Sequence, residues 1–160
     1  MQPSDNYVKL MIELEGFNKC PYVDSAGIIT IGVGSTHYED GTPVRISDTC
    51  ITYDRAVSLL MLVTNSNATL ISAIVKSSIN QNQFDALLAF TYNEGQTAFK
   101  TSTLLKRINI NPNDVNGITD AFLMWVYAKD PTTGTMVKSK GLINRRNQEI
   151  KLYFTPVTTS

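Results

Sequence analysis

These 160 residues predict an α+β fold, with a small β lobe set inside a mainly helical chain. Three observations carry that expectation. Between Pro21 and Val33 the residues are short, β-branched and interrupted by Ser25-Ala26-Gly27, the pattern of a hairpin. From Thr52 onward apolar residues recur at three- and four-residue spacing, the period of helices that bury one face. The two textures are segregated along the chain, which favours a sheet and helices in separate lobes with a cleft between them. Leu, Ile, Val and Phe make up 44 of the 160 residues. That exceeds the ~20% below which disorder sets in, so a wholly disordered chain is excluded.

The first helix reads from Ser4 or Asp5 to Glu15. Both are good N-cap residues, Val8, Met11 and Ile12 form a partial apolar stripe, and Gly16 suits the left-handed position past a helix end. The hairpin follows, then a turn-rich stretch over 34–50 whose strongest break is Glu39-Asp40-Gly41-Thr42-Pro43. The β lobe therefore covers about 17–50, and the helical lobe about 1–16 and 52–154. Thr52 caps a segment starting near Tyr53 that carries Val57, Leu60, Met61, Leu70, Ile71, Ile74 and Val75. Its length fits one long helix crossing between lobes, or two helices broken near Asn65-Ser66-Asn67. Asn80 with Gln83 resembles a capping box, and Phe84, Leu87, Leu88 and Thr91 or Tyr92 follow at helical spacing as far as Gly95. Further helices are expected over Ser102–Ile108, Asp114–Val126 and Gly141–Phe154, with a loose polar tail over 155–160.

Fourteen basic and fourteen acidic residues cancel to a formal net charge of zero. A chain without basic surplus is a poor fit to duplex DNA, whose binders neutralise many phosphates, so no nucleic-acid partner is expected. The charge is uneven, however: residues 1–80 carry five basic and eight acidic side chains, and the remainder nine and six. The longest aliphatic run, Leu59–Val63, is far short of a bilayer span, and stable membrane insertion is not expected. Met-Gln-Pro-Ser-Asp at the start has neither a basic nor an apolar signal region. Cys20 and Cys50 do not amount to a disulfide framework and read as free thiols. With the single His37 they leave no metal cluster and no Ser–His–Asp set, so neither metal nor cofactor is expected.

Among the carboxylates Glu15 stands out by position. It ends a helix, where the negative end of the dipole gives an anion no support, beside apolar Leu14 and Phe17. A carboxyl kept protonated near neutrality is what a general acid for a glycosidic oxygen needs. An exposed Glu at a frayed helix end is the alternative. Asp24 and Thr30 follow in the hairpin. In a two-lobed cleft Asp24 can face Glu15 across a substrate, as the paired carboxyls of glycoside hydrolysis do, and Thr30 can help hold a water. Asp-Ser-Ala-Gly is equally good turn sequence, and threonine is common in strands, so spacing leaves both readings open.

Glu15-Gly16-Phe17, Tyr22-Val23-Asp24-Ser25-Ala26-Gly27 and Thr30-Ile31-Gly32-Val33-Gly34 resemble the N-terminal signature of phage-type lysozymes, glycoside hydrolase family 24. The segments Asn82–Leu87, Tyr92–Gly95, Ser102–Leu105, Phe122–Trp125 and Gly141–Glu149 resemble the rest of that family in order. The resemblance implies a lysozyme-like fold and a muramidase that cleaves, with inversion, the β-1,4 bond between N-acetylmuramic acid and N-acetylglucosamine of peptidoglycan. It makes Glu15 the general acid, Asp24 the group that activates water or stabilises the transition state, and Thr30 a holder of that water. Less specifically, it places Tyr92 and Thr103 along the sugar-binding cleft and Arg145 near the acid carboxyl. Tyr92 as a core residue, Thr103 as a helix cap and Arg146 in place of Arg145 stay open as alternatives.

The implied role is a monomeric phage endolysin, held in the host cytoplasm and reaching the periplasmic wall through a holin-type pore. A lytic transglycosylase, which needs the Glu but no water-managing Asp, is a competing expectation, as is a non-catalytic glycan-binding virion module. The chain departs from the family pattern in three places. Many members carry a histidine directly after Gly-x-Gly, where this chain has Ser35-Thr36-His37; Thr36–Ser47 looks inserted; and Asp130–Thr135 looks like a longer loop at the cleft rim.

Overall fold

Helix α1 (Asp5–Glu15) opens the computed structural model, which describes residues 1–157. Strands β1 (Asn18–Val23) and β2 (Ile29–Gly32) follow, then α2 (Tyr53–Ile74), α3 (Gln81–Glu94), α4 (Gln96–Thr101), α5 (Thr103–Ile110) and α6 (Val115–Leu123). A second hairpin, β3 (Tyr127–Lys129) and β4 (Met136–Lys138), precedes the last helix, α7 (Lys140–Phe154). The chain forms two compact units, one spanning Val8–Ser66 and the other joining Met1–Tyr7 to the residues from Asn67 onward.

The Val8–Ser66 unit is organised by β1 and β2, antiparallel with Tyr22 opposite Thr30, Val23 opposite Ile29, and an irregular register between Asn18 and Tyr22. Ile31, Val44, Ile51, Ala56 and Leu59 are its buried cluster, and Phe17, Ile29 and Tyr38 pack against it. The expected break at 39–43 is a tight turn, with Tyr38 N–H donating to Thr42 O at 2.9 Å. Arg55 grips Glu39 through Nε and Nη2 at 3.2 and 3.1 Å, an exposed pair that contributes little to stability. Thr52 caps α2 by accepting from Arg55 N–H at 3.2 Å.

The cysteines are not free. Cys20 and Cys50 form a disulfide with Cα atoms 4.1 Å apart, joining β1 to the segment ahead of α2. Lys19 O accepts from Ile51 N–H at 2.8 Å, and that backbone bond brings the two segments side by side. Two cysteines 30 positions apart signal nothing locally, because their pairing depends on that register. Closing a loop of this length restricts the unfolded chain by about 3.5 kcal/mol. The double variant Cys20→Ser/Cys50→Ser is expected to lose that much in urea unfolding, and reductant should lower the wild type to the same midpoint. An unchanged midpoint under reductant excludes the crosslink as a stabilising element.

Of the two readings of the stretch after Thr52, one unbroken helix is found. Thr64 Oγ1 donates to Leu60 O at 2.9 Å and Ser66 Oγ to Val63 O at 3.0 Å, bonds that let polar residues stay helical. Asn67 is buried and accepts from Gln96 Nε2 at 3.1 Å. By length and composition α2 is apolar enough to cross a membrane. Here Ala56, Leu59, Leu60, Thr64, Asn67, Ala68 and Ile71 are buried in protein.

In the other unit α3 is buried continuously from Asn82 to Thr91 and packs against α4 and α7. Its capping box is complete: Asn80 accepts from Gln83 N–H, and Gln83 Oε1 accepts from Asn80 N–H, both at 2.9 Å. Ser102, Asp114 and Ser139 cap α5, α6 and α7 by accepting from the N–H three residues on. Phe90 is the centre of an aromatic cluster, edge-on to Phe99, Phe122 and Trp125 with ring centroids 5.6–6.1 Å apart.

Three expectations change in this unit. Helix α4 had no separate sequence signal, since Phe99 is its only buried residue. The helix expected to reach Val126 stops at Leu123, and the loop expected over Asp130–Thr135 is the turn of the β3–β4 hairpin. Strands of three residues are too short to display alternation. The tail is not loose at its start, because Asn82 Nδ2 donates to Thr155 O at 2.9 Å and Pro156 O at 3.4 Å. The rest of that expectation, 158–160, lies outside the described residues.

Candidate active site

Glu15, Asp24 and Thr30 line one cavity of about 440 Å3 in the Val8–Ser66 unit, together with Tyr22, Gly34 and Thr36. A larger cavity of about 620 Å3 in the other unit has one carboxylate on its wall, Asp5. No group of three potential metal ligands occurs among the described residues.

Each of the three is delivered by a different device. Glu15 is the last residue of α1, half-buried, and Gly16 N–H donates back to Ile12 O at 2.9 Å to close the helix. Asp24 starts the hairpin turn: its Oδ1 accepts from Ala26 N–H and Ile28 N–H, both at 2.8 Å. The turn reading of Asp24 is therefore correct, yet it occupies one oxygen only. Among the described residues Oδ2 has no hydrogen bond. Thr30, 3% exposed, sits on β2 and donates its hydroxyl proton to Ile28 O at 3.2 Å. With that proton committed, the threonine oxygen faces any bound water as an acceptor.

Gly34 is a site residue that sequence reasoning quoted but gave no role. Its φ is +71°, and a Cβ there would lie 3.4 Å from Cβ, Cγ and Oε2 of Glu15. Gly32, at φ +66°, would instead drive a Cβ to 3.0 Å from Ala56 Cβ, away from the carboxyl. Alanine at either position is strained by about 1–2 kcal/mol. Gly34→Ala is expected to lower kcat about tenfold more than Gly32→Ala, assayed well below both melting temperatures. Equal losses place Gly34 outside the site.

Tyr22 and Thr36 also had no assigned role. Thr36 Oγ1 lies 2.9 Å from Nδ1 of His37, which is exposed in the loop following Ser35 and is not part of the cavity wall.

Tyr92, Thr103 and Arg145 belong to the other unit. Tyr92 is half-buried near the end of α3, and Thr103 opens α5. Ser102 does the capping there, accepting from Leu105 N–H at 3.0 Å, so the cap reading of Thr103 does not hold. Arg145 is buried; its Nε donates to Glu149 Oε1 at 3.2 Å and Nη2 to Ala89 O at 3.4 Å. Arg146 is fully buried, 3.2 Å from Glu149 Oε2 and 3.3 Å from Glu94, with its guanidinium over the Phe90 ring at 4.9 Å. It also donates to Asn93 Oδ1. Arg-Arg-x-x-Glu at helical spacing was the available signal for this buried network.

The same segments define the chain's relatives. The family described as Phage lysozyme matches residues 12–149. The endolysin of Salmonella phage P22 is 37% identical over 154 residues, covering 96% of this chain and 98% of that one. Among solved structures, the endolysin from Escherichia coli O157:H7 phage FAHEc1 superposes with a TM-score of 0.87 at 34% identity, over 100% of this chain and 98% of its own. A mutant of P22 lysozyme superposes at 0.77 with 35% identity, over 97% and 99%. The match runs from the end of α1 to the buried Glu149, through the hairpin that carries Asp24 and Thr30, and this chain belongs to the phage lysozyme family.

Proposed function

We propose that the chain is a muramidase of the endolysin type, hydrolysing the β-1,4 bond between N-acetylmuramic acid and N-acetylglucosamine with inversion. The observation that carries this reading is the single cavity lined by Glu15, Asp24 and Thr30. Glu15 gives its proton to the leaving glycosidic oxygen as the bond breaks toward an oxocarbenium-like transition state. The attacking water needs two acceptors for its hydrogens and a lone pair free for the anomeric carbon. Asp24 Oδ2 and Thr30 Oγ1 supply the acceptors, one as base and one as a neutral holder. The two backbone donors on Asp24 Oδ1 fix the carboxylate plane, so little reorganisation accompanies the attack. Tyr92, Thr103 and Arg145 bind sugar units in this scheme.

Action in the periplasm agrees with the Cys20–Cys50 disulfide, which persists in oxidising compartments. Export through a partner-made pore and action as a monomer complete the proposal, with the Val8–Ser66 unit carrying the acid–base set. Mass spectrometry of fragments released from purified sacculi tests the reaction. Muropeptides with free reducing ends support it, 1,6-anhydro ends assign a transglycosylase instead, and no release leaves a binding module. Proton NMR of the first-formed anomer decides the stereochemical course.

A further inference from the structure

We propose that the β3–β4 hairpin presents a second binding face, one that takes the carboxylate-bearing stem peptides and adjoining sugars of the wall polymer. This rests on the wall-hydrolase reading above. In the antiparallel pairing Tyr127 stands opposite Lys138 and Lys129 opposite Met136. Alternation puts these four side chains on one side of the ribbon, with Ala128 and Val137 on the other. All four are exposed, Tyr127 at 48% and Met136 at 62%.

The face has the chemistry of a glycopeptide site: an aromatic ring to lie against a sugar, a thioether beside it, and two ammonium groups for carboxylates. Its charge is local rather than a share of a general surplus. The chain is neutral overall, yet from Tyr127 to Lys140 there are three lysines and one acid. That acid, Asp130, is turned to internal use. Its carboxylate accepts from Thr132 and Thr133 N–H at 2.7 and 3.0 Å, bonds that hold it below the usual carboxylate range. Gly134 N–H to Asp130 O and Asp130 N–H to Thr135 O, both 2.8 Å, close the turn. A hairpin fixed in this way loses little freedom when it binds, which favours a real contact over a passive exposed patch.

The experiment compares Lys129→Glu/Lys138→Glu and, separately, Tyr127→Ala with their parent. Binding is read by co-sedimentation with purified sacculi at low and high salt, in a Glu15→Gln background so that the polymer stays intact. Two exposed attractions lost and reversed should weaken binding about tenfold and flatten its salt dependence. Tyr127→Ala should weaken it while leaving the salt dependence in place. In active enzyme the charge variant should raise KM with kcat unchanged. Sacculi whose carboxyls have been capped as neutral amides should bind the parent as weakly as the charge variant.

Equal binding of parent and variants overturns the proposal, as does indifference to capping. Retention on anionic phospholipid vesicles that is lost in the charge variant, without any effect on sacculi, assigns the face to a lipid surface instead. Failure of the active parent to release muropeptides strikes at the hydrolase reading, and the co-sedimentation result still reports on the face.

Discussion

Glu15→Gln is expected to cut release of muropeptides from purified sacculi by about a thousandfold or more while leaving the melting temperature within about a degree. General acid catalysis contributes 10²–10⁴-fold, and the amide keeps the size and hydrogen-bonding of the acid while losing the transferable proton. The position tolerates the change: the side chain ends α1 and is half-buried. Two companions separate chemistry from structure at Asp24. Asn in its place keeps an oxygen for the Ala26 and Ile28 N–H groups, so the turn should survive while the rate falls about a hundredfold. Ala removes the turn acceptor too, and should lower the melting temperature as well as the rate. Retention of more than a tenth of wild-type turnover by Glu15→Gln ends the case for it as the proton donor.

What the sequence disclosed follows how local each interaction is. The caps at Thr52 and Asn80 are contacts three residues long and were legible as such. The disulfide was invisible for the opposite reason: Cys20 meets Cys50 only through the register of β1 with the segment before α2. The β3–β4 hairpin was hidden by brevity, and Asp130-Pro-Thr-Thr-Gly-Thr announced only its turn. At the candidate site the local reading gave two options for Asp24, turn former or cleft carboxylate. The structure makes them compatible, since the turn uses one oxygen and leaves the other. That a shared cavity gathers Glu15, Asp24 and Thr30 depends on the hairpin folding back toward the end of α1, which no spacing rule encodes. Only likeness to a family supplied it in advance.

Arg146→Met is expected to destabilise the protein by about 3–5 kcal/mol in urea unfolding at pH 9, without any contact to the proposed catalytic set. Methionine fills much of the volume over Phe90, so the loss is electrostatic rather than a cavity. Arg146 lies 3.2 Å from Glu149, whose side chain has no exposure at all, and removing it leaves Arg145 as the cation bonded to that carboxylate. Burial already pushes the Glu149 carboxyl from its ordinary 4.5 up to about 7, with the two arginines pulling the other way. A carboxyl raised in the folded state binds a proton that the unfolded chain has released. The wild type therefore loses stability as pH rises from about 4.5 to 7. Without Arg146 the folded carboxyl climbs further, and the loss continues above 7. The gap between wild type and variant should consequently widen from pH 6 to pH 9. Adding Glu149→Gln to Arg146→Met should close much of that gap at pH 9 and little of it at pH 6, because only the ionised partner is stranded. A gap independent of pH, or no rescue by glutamine, assigns the loss to packing around Phe90 instead of to the buried charge.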